Sequence, residues 1–370
     1  MKLGDRLAYA RKALNITLAK ACKHTGIGIS TLSEFEHGKR EPKLSQLMRL
    51  ADLYRRPLSF FLEESPIVPE VVVWRVWPKE PRAEEVQAQF LELVEQYHNL
   101  EVWCEDRQDS ELPFAPWSAE NFSYPDAEKL AHRVRNELGL GDRPGFTLLW
   151  VLEEVCHVKV IHLPLEPADA AACTWSDRYG AAVLLNSRNV RRRRNFDLAH
   201  QLFHLLTWHV FRWNDAGPMA QVNAEKEKLA NCFASNLLMP GDALRLAIST
   251  RLGKGRTLGF HDVFAIARQF DVPIEAVLWR IPLRDRMYCE LMKHVIEHFK
   301  PEMIRWDDRE RDNPPVRPLR FQALARQALR KGMLSAGRYA AYLGISRTEA
   351  MKAAEEDVHQ EAEIEVDSRC

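Results

Sequence analysis

Asn195-Phe196-Asp197-Leu198-Ala199-His200-Gln201-Leu202-Phe203-His204-Leu205-Leu206 is the stretch on which the fold and the chemistry of this chain turn. Its two histidines stand four residues apart. On a helix they share one face, about 40° from each other at roughly 3.6 residues per turn, so both imidazoles can close on a single ion. Phe196, Leu198, Ala199, Phe203 and Leu206 would sink that helix into a core. Alone the pair is a weak signal, because histidines at i, i+4 also occur on ordinary helices.

The signal strengthens downstream, at Glu227-Lys228-Leu229-Ala230-Asn231-Cys232-Phe233-Ala234-Ser235-Asn236-Leu237-Leu238-Met239-Pro240. This reads as a second helix, stopped by Pro240 and Gly241. Glu227, Asn231 and Ala234 fall on one face, and small Ala230 and Ala234 would let the histidine helix approach. Glu227 can then complete a His₂Glu zinc site with its fourth position open, while Asn231 steadies a ligand from behind. The plainer alternative is a solvated glutamate between Lys226 and Lys228, supported by i,i+4 pairing.

The histidine stretch has the form of the zinc-peptidase signature H-E-x-x-H with one departure, Gln201 at the general-base position. A carboxamide can hydrogen-bond a water but cannot accept its proton, so the metal site reads as intact and the proton transfer as disabled. From about Val158 to Pro240 the chain resembles the ImmA/IrrE family of zinc peptidases. The resemblance rests on Phe196 to His204, against F-x-L-A-H-E-x-x-H, and on Glu227 to Pro240, against E-x-x-A-N-x-F-A-x-x-L-L-M-P. It implies His200, His204 and Glu227 as Zn2+ ligands and Gln201 in place of the catalytic glutamate. It also implies cleavage of a repressor or partner protein in stress or mobile-element regulation, an activity that Gln201 would impair. The alternative is a regulator that uses the peptidase fold to sense a peptide, a partner or a metal without cutting.

The chain has 370 residues, 46% hydrophobic and 28% charged, which suits two or three soluble domains. Lys+Arg and Asp+Glu both number 52, so any basic surface must be local. No apolar run approaches a membrane span, and Met1-Lys2-Leu3-Gly4-Asp5 does not start a signal peptide. The 7 cysteines are scattered without a Cys-x-x-Cys pair and read as reduced, cytoplasmic thiols. Cys173 and Cys232 are read as buried and inert rather than nucleophilic.

Residues 1–64 read as five short helices. Leu3, Leu7, Ala10 and Leu14 mark the first, and Thr17 caps a second that ends at Gly26. A third, from about Gly28 to Gly38, turns Leu32 and Phe35 inward. Thr17 to Pro42 resembles the XRE (lambda-repressor/Cro-like) family, through Gly26-Ile27, Ser30-Thr31-Leu32-Ser33 and Glu36-His37-Gly38-Lys39-Arg40-Glu41-Pro42. That resemblance implies a DNA-binding domain, with Leu18 where the family usually carries glutamine. The third helix would present Ile29, Ser30, Thr31, Ser33 and Glu34 to the major groove, with Lys39 and Arg40 close by to pair with phosphates. A homodimer on a near-palindromic operator is the corresponding expectation. A helical protein-interaction module is the alternative.

Residues 65–82 read as a proline-marked linker in which Val71 to Val76 can pair or pack locally. The metallopeptidase-like domain is expected over 83–282, with its motif core at 157–240. A long helix is predicted at Ala83 to Cys104, and others at Asp126 to Leu138 and Phe146 to Val155. Strands are expected at Val158 to Leu163, Ala172 to Trp175 and Ala181 to Asn186. Arg191 to Arg194 reads as a solvated basic cap, with an anchor for acidic peptide or nucleic acid near the cleft as the alternative. His157, His162 and His209 are given no ligand role, and Tyr179 only a minor chance of stabilising an oxyanion. Helices at Phe260 to Phe270 and Pro273 to Ile281 follow. The helical region 283–370 holds a helix at Met287 to Phe299, a linker at Asp307 to Pro318 and further helices at Phe321 to Leu329 and Ala336 to Ser346. There Leu343-Gly344-Ile345-Ser346 resembles another helix-turn-helix turn, read as helical packing, and an acidic end from Glu355 to Asp367 frays. The overall expectation is a multidomain, mainly α protein: an all-α helix-turn-helix domain, an α+β zincin-like domain and a helical C-terminal region.

Overall fold

Short amphipathic helices can hold together only by burying their apolar stripes against one another, and the N-terminal helices do so. In a computed structural model, residues 2–63, 70–78, 83–108, 111–118, 122–213, 219–221, 223–251, 258–280, 298–299, 301 and 311–352 are described. The chain divides into two units, Met1–Glu70 with Trp77–Gln96, and Val71–Val76 with Tyr97–Cys370.

The first unit holds α1 (Leu3–Ala13), α2 (Leu18–Thr25), α3 (Ile29–Glu36), α4 (Leu44–Tyr54), α5 (Leu58–Leu62) and the first part of α6 (Ala83–Cys104). Its core gathers Leu7, Ala10, Ala21, Leu32, Phe35, Leu50 and Phe61. Thr17 caps α2 as expected, accepting from Lys20 N at 3.2 Å. Gly26 ends it at φ 68°, a left-handed turn natural to glycine. Gly4 lets α1 lie against α3, since a Cβ there would meet the Phe35 carbonyl oxygen at 2.6 Å. Arg11 joins the same two helices through a bidentate pair to Glu36, at 2.6 and 2.8 Å.

The second unit is built on a five-stranded sheet of β1 (Val72–Trp74), β2 (Lys159–Leu163), β3 (Ala172–Ser176), β4 (Gly180–Asn186) and β5 (Met219–Gln221), in the order β2-β4-β3-β1-β5. β3 and β4 form an antiparallel hairpin, β2 runs parallel to β4, and β1 is antiparallel to β3 and parallel to β5. Strands β2, β3 and β4 lie where the β-branched runs placed them. β1 falls inside the stretch expected to be a linker and is instead a sheet strand; its run Val71-Val72-Val73-Trp74 is buried because sheet lies on both sides of it. β5 had no expectation, being too short to show an apolar alternation.

The helices of this unit are the rest of α6, α7 (Tyr124–Glu137), α8 (Leu148–Trp150), α9 (Arg191–Leu206), α10 (Ala224–Leu238), α11 (Gly241–Arg251), α12 (Phe260–Phe270), α13 (Ile274–Arg280), and two more at Leu319–Arg330 and Ala336–Leu343. α9 packs on β3 and β4, and α10 packs between α7 and α9. The predicted helix at Phe146 to Val155 is a composite: a 3₁₀ turn at Pro144–Phe146, the single turn α8, then a π-helical turn at Val151–Val155. Gly344 ends the helix Ala336–Leu343 at φ 68°, Ser346 Oγ then accepts from Glu349 N at 3.2 Å, and residues 347–352 are helical. Residues 311–318 carry no helix or strand, as expected of a linker. The segment Ser65 to Pro69, most of the predicted helix Met287 to Phe299, and the acidic end Glu355 to Asp367 lie outside the described residues. Among the described residues no helix is long and apolar enough to cross a membrane.

Candidate metal centre

α9 begins on four arginines, an unfavourable start, because the positive end of the helix dipole lies there. They are a solvated cap only in part, at exposed Arg191. Arg192 and Arg194 are buried, and the run is neutralised from three directions. Arg191 pairs with Asp271 at 3.1 Å, Arg193 with Asp197 at 3.3 Å, and Arg194 with Asp312. Asn195 Nδ2 donates to Gly145 O at 2.8 Å and to Asp271 Oδ2 at 2.7 Å. Asp197, fully buried, also accepts from Asn189 and from Arg75 at the end of β1. The run looked solvated in the sequence because its acidic partners come from remote segments. A cleft of about 600 Å³ opens beside it. Arg188, Arg192, Arg193 and Arg311 line this cleft with Glu166, Asp169 and Glu275, mixing both signs of charge, and the histidines take no part in it.

The next two turns of α9 carry His200, Gln201 and His204, all fully buried. α10 brings Glu227 to them. His200 Nε2 lies 3.1 Å from Glu227 Oε2, His204 Nε2 lies 3.3 Å from Glu227 Oε1, and the two Nε2 atoms are 3.3 Å apart. His200 Nδ1 lies 3.0 Å from Asn231 Oδ1. An amide oxygen can only accept, so Nδ1 carries the proton and Nε2 turns a lone pair toward the cluster. Three donors held about 3.3 Å apart are what a zinc ion with bonds of roughly 2.0–2.1 Å needs at near-tetrahedral angles. Among the described residues this is the one such group of His, Cys, Asp or Glu ligand atoms, all within 4.8 Å of one another.

The charge state suits a cation. Burial pushes His200 down to about 4, against the pull of the adjacent Glu227 carboxylate, with the Arg75 charge adding to the lowering. Burial alone would raise Glu227; the closely placed His200 and His204 outweigh that and hold it at about 2. The site therefore offers a neutral His200 imidazole and an ionised Glu227 carboxylate at neutral pH. Lys226, suggested as a solvated partner for Glu227, lies instead over the Phe211 and Trp213 rings at 4.7 and 4.3 Å.

Gln201 adds a second indication. Neither atom of its buried carboxamide has a hydrogen-bond partner among the described residues, a situation worth about 1–3 kcal/mol of lost solvation unless something polar meets it. Cys173 on β3 is buried, its thiol is raised well above the usual range by burial and then by the Glu227 charge, and it is not among the ligand atoms of the cluster. His209 packs edge-on to Trp175 at 4.8 Å and lies outside the cluster. The Tyr179 ring lies against His98 at 5.3 Å, in a packing role.

In the first unit, α3 leaves Ile29 49% exposed and Ser30 exposed, with Thr31, Ser33 and Glu34 half-buried, while Lys39 and Arg40 face solvent beyond its end. Arg40 lies 3.9 Å from Glu34. The supporting residues Arg75, Asn189, Asn195 and Asp197 had no sequence expectation. Asp197 alone left a trace, one helical turn before His200 on the same face.

Residues 153–281 match the model of the IrrE N-terminal-like domain family, a peptidase family, and residues 7–61 match that of a helix-turn-helix family. A cryptic phage CTXphi transcriptional repressor, RstR of Vibrio cholerae serotype O1, is 36% identical over 52 residues, which is 14% of this chain and 46% of that repressor. The chain thus spans about half the length of the curated relative it matches. A helix-turn-helix domain of the transcription-regulator kind is fused here to an IrrE-like peptidase domain.

Proposed function

We propose that this chain is a cytoplasmic, DNA-binding transcription regulator that holds a zinc ion in its peptidase-type domain, and that Gln201 restrains that domain from cutting its protein target. The convergence of His200, His204 and Glu227 from two helices is the observation that carries the reading. His200, His204 and Glu227 would hold the ion, and Asn231 would keep His200 in the tautomer that offers Nε2. When bound, the ion supplies Lewis acidity. Gln201 can orient a water or a peptide carbonyl by hydrogen bonding, but its amide takes no proton, so activation of the attacking water lacks its base. A Gln201→Glu change would restore that base. The target class is a repressor or partner regulator, met under stress or in mobile-element control.

The same carboxamide favours a second reading, in which the peptidase-type fold senses a peptide, partner or metal and never cuts. Incubating the chain and its Gln201→Glu form with candidate repressors separates the two readings. Cleavage by the Glu form alone supports a restrained peptidase, cleavage by neither supports a sensor, and equal cleavage by both removes Gln201 from the argument.

For the first unit, α3 would read an operator through Ile29, Ser30, Thr31, Ser33 and Glu34, with Lys39 and Arg40 on phosphates. A homodimer on a near-palindromic site follows from the usual geometry of such domains. The support is the exposure of Ile29, Ser30, Lys39 and Arg40 and the likeness of residues 7–61 to a helix-turn-helix family. A shift assay on the chain's own upstream DNA should show binding that weakens steeply with salt; no such binding there or on genomic fragments would remove the DNA half of the proposal.

A further inference from the structure

A ligand pair on a helix works only if the helix is held in one rotation. One residue of slip turns every side chain by about 100° and would carry His200 and His204 away from Glu227. On α9, Asp197, His200 and His204 recur at i, i+3 and i+7, one stripe along the helix. The fully buried Asp197 carboxylate has three partners. Arg193 lies on α9 itself and Asn189 in the turn just before it, so neither can register the helix against the sheet. The third, Arg75 Nη1, comes from the end of β1, and its backbone N–H donates to Ala171 O at 2.9 Å. The Arg75 guanidinium also lies 5.8 Å from the centre of the Phe196 ring. β1 is itself locked between β3 and β5, with Trp74 opposite Ala172 and Gln221.

The geometry points to Arg75 as the positioning residue of the metal centre: it ties the histidine helix to the sheet through Asp197 and so sets where the two imidazoles meet Glu227. This rests on the zinc reading above. It adds to that reading a strand that lies outside residues 153–281, where the peptidase family model matches. A metal-site segment that begins at residue 153 therefore lacks the part that orients it. Arg75 touches no ligand atom itself. Its influence reaches the site through Asp197.

The test is cobalt(II) and zinc titration of the full-length chain, read as affinity against a competing chelator and as the visible absorption of the cobalt form. The unaltered chain should bind one ion with the spectrum of a low-coordinate site. Arg75→Ala should lower affinity about 10–100-fold, the usual effect of removing a group behind a ligand, and shift the cobalt bands, while Arg75→Lys should fall between the two. Arg320→Ala breaks ion pairs to Glu101 and Asp106 in the same unit; it should leave affinity and spectrum unchanged as long as circular dichroism shows a folded chain. If Arg75→Ala does not fold, Asp197→Asn carries the same comparison with nearly the same shape. Wild-type affinity and spectrum in Arg75→Ala or Asp197→Asn would overturn the inference alone, as would equal losses in Arg320→Ala. An unaltered chain that takes up no cobalt would overturn the zinc reading, and this inference with it.

Discussion

α3 and α9 place polar side chains under opposite conditions. α3 has 8 residues and buries Leu32 and Phe35, leaving Ser30 to water. α9 has 16 residues and buries nearly all of them, including Arg192, Arg194, Asn195, Asp197, His200, Gln201 and His204. A polar group in water needs no protein partner, whereas one in a core must be matched or its desolvation goes unrecovered. α9 is matched almost throughout: aspartates meet its arginines, Asn195 meets two carbonyls, and Glu227 meets its histidines. Gln201, with both carboxamide atoms lacking a hydrogen-bond partner among the described residues, is the main exception, beside His204 Nδ1 and Arg193 Nε. An exposed helix face can change residues freely, while a buried helix constrains each residue through its neighbours.

That contrast can be broken or sharpened by substitution. The largest effect is expected at the exception: Gln201→Glu should raise cleavage of a true protein target by on the order of 10²–10⁴-fold, the range a positioned base contributes, measured as single-turnover rates with zinc loaded. Acid should act next. Burial, helped by the Arg194 charge, pushes His162 on β2 down to about 4 from its ordinary 6.5. The unfolded chain binds that proton first, so the stability due to a neutral His162 is complete above 6.5 and lost as pH falls through 4. The loss is up to about 3 kcal/mol. It should be visible as a falling urea midpoint of the second unit, flattened in His162→Gln. Asn231→Ala should weaken zinc about 10–100-fold in a chelator competition, with the fold retained. On the α3 side the effects should be smallest. Thr17→Ala, which removes the α2 cap, should cost about 1 kcal/mol, and Ser30→Ala should change stability by less than about 0.5 kcal/mol while weakening operator binding. A Ser30→Ala loss as large as that of a buried α9 residue would remove the distinction.

Much of this was visible before any coordinates. Thr17 and Gly26 bracket α2 because caps and left-handed glycines are local signals, and β2, β3 and β4 announced themselves by β-branched runs between turns. His200 and His204 were legible because helical spacing alone puts them together. Arg191 to Arg194 misled because charge runs show their sign and not their partners; Asp271 and Asp312 reach them from far along the chain. Val71 to Val76, inside the stretch read as a linker, shows β-branched residues that can pair, but a three-residue strand gives no periodicity that names its partners β3 and β5.

The amino-acid sequence by itself determined the local matters: which segments coil, where they stop, which side chains share a helix face, and that position 201 holds an amide without basicity. Only the tertiary structure decided that Glu227 meets both imidazoles, that Asn231 sets one tautomer, and that Arg75 grips the histidine helix through Asp197. The reason is range. Capping and periodicity act within a turn or two of backbone, whereas a buried charge is satisfied by whichever partner the packed core brings within a few ångströms, however distant along the chain.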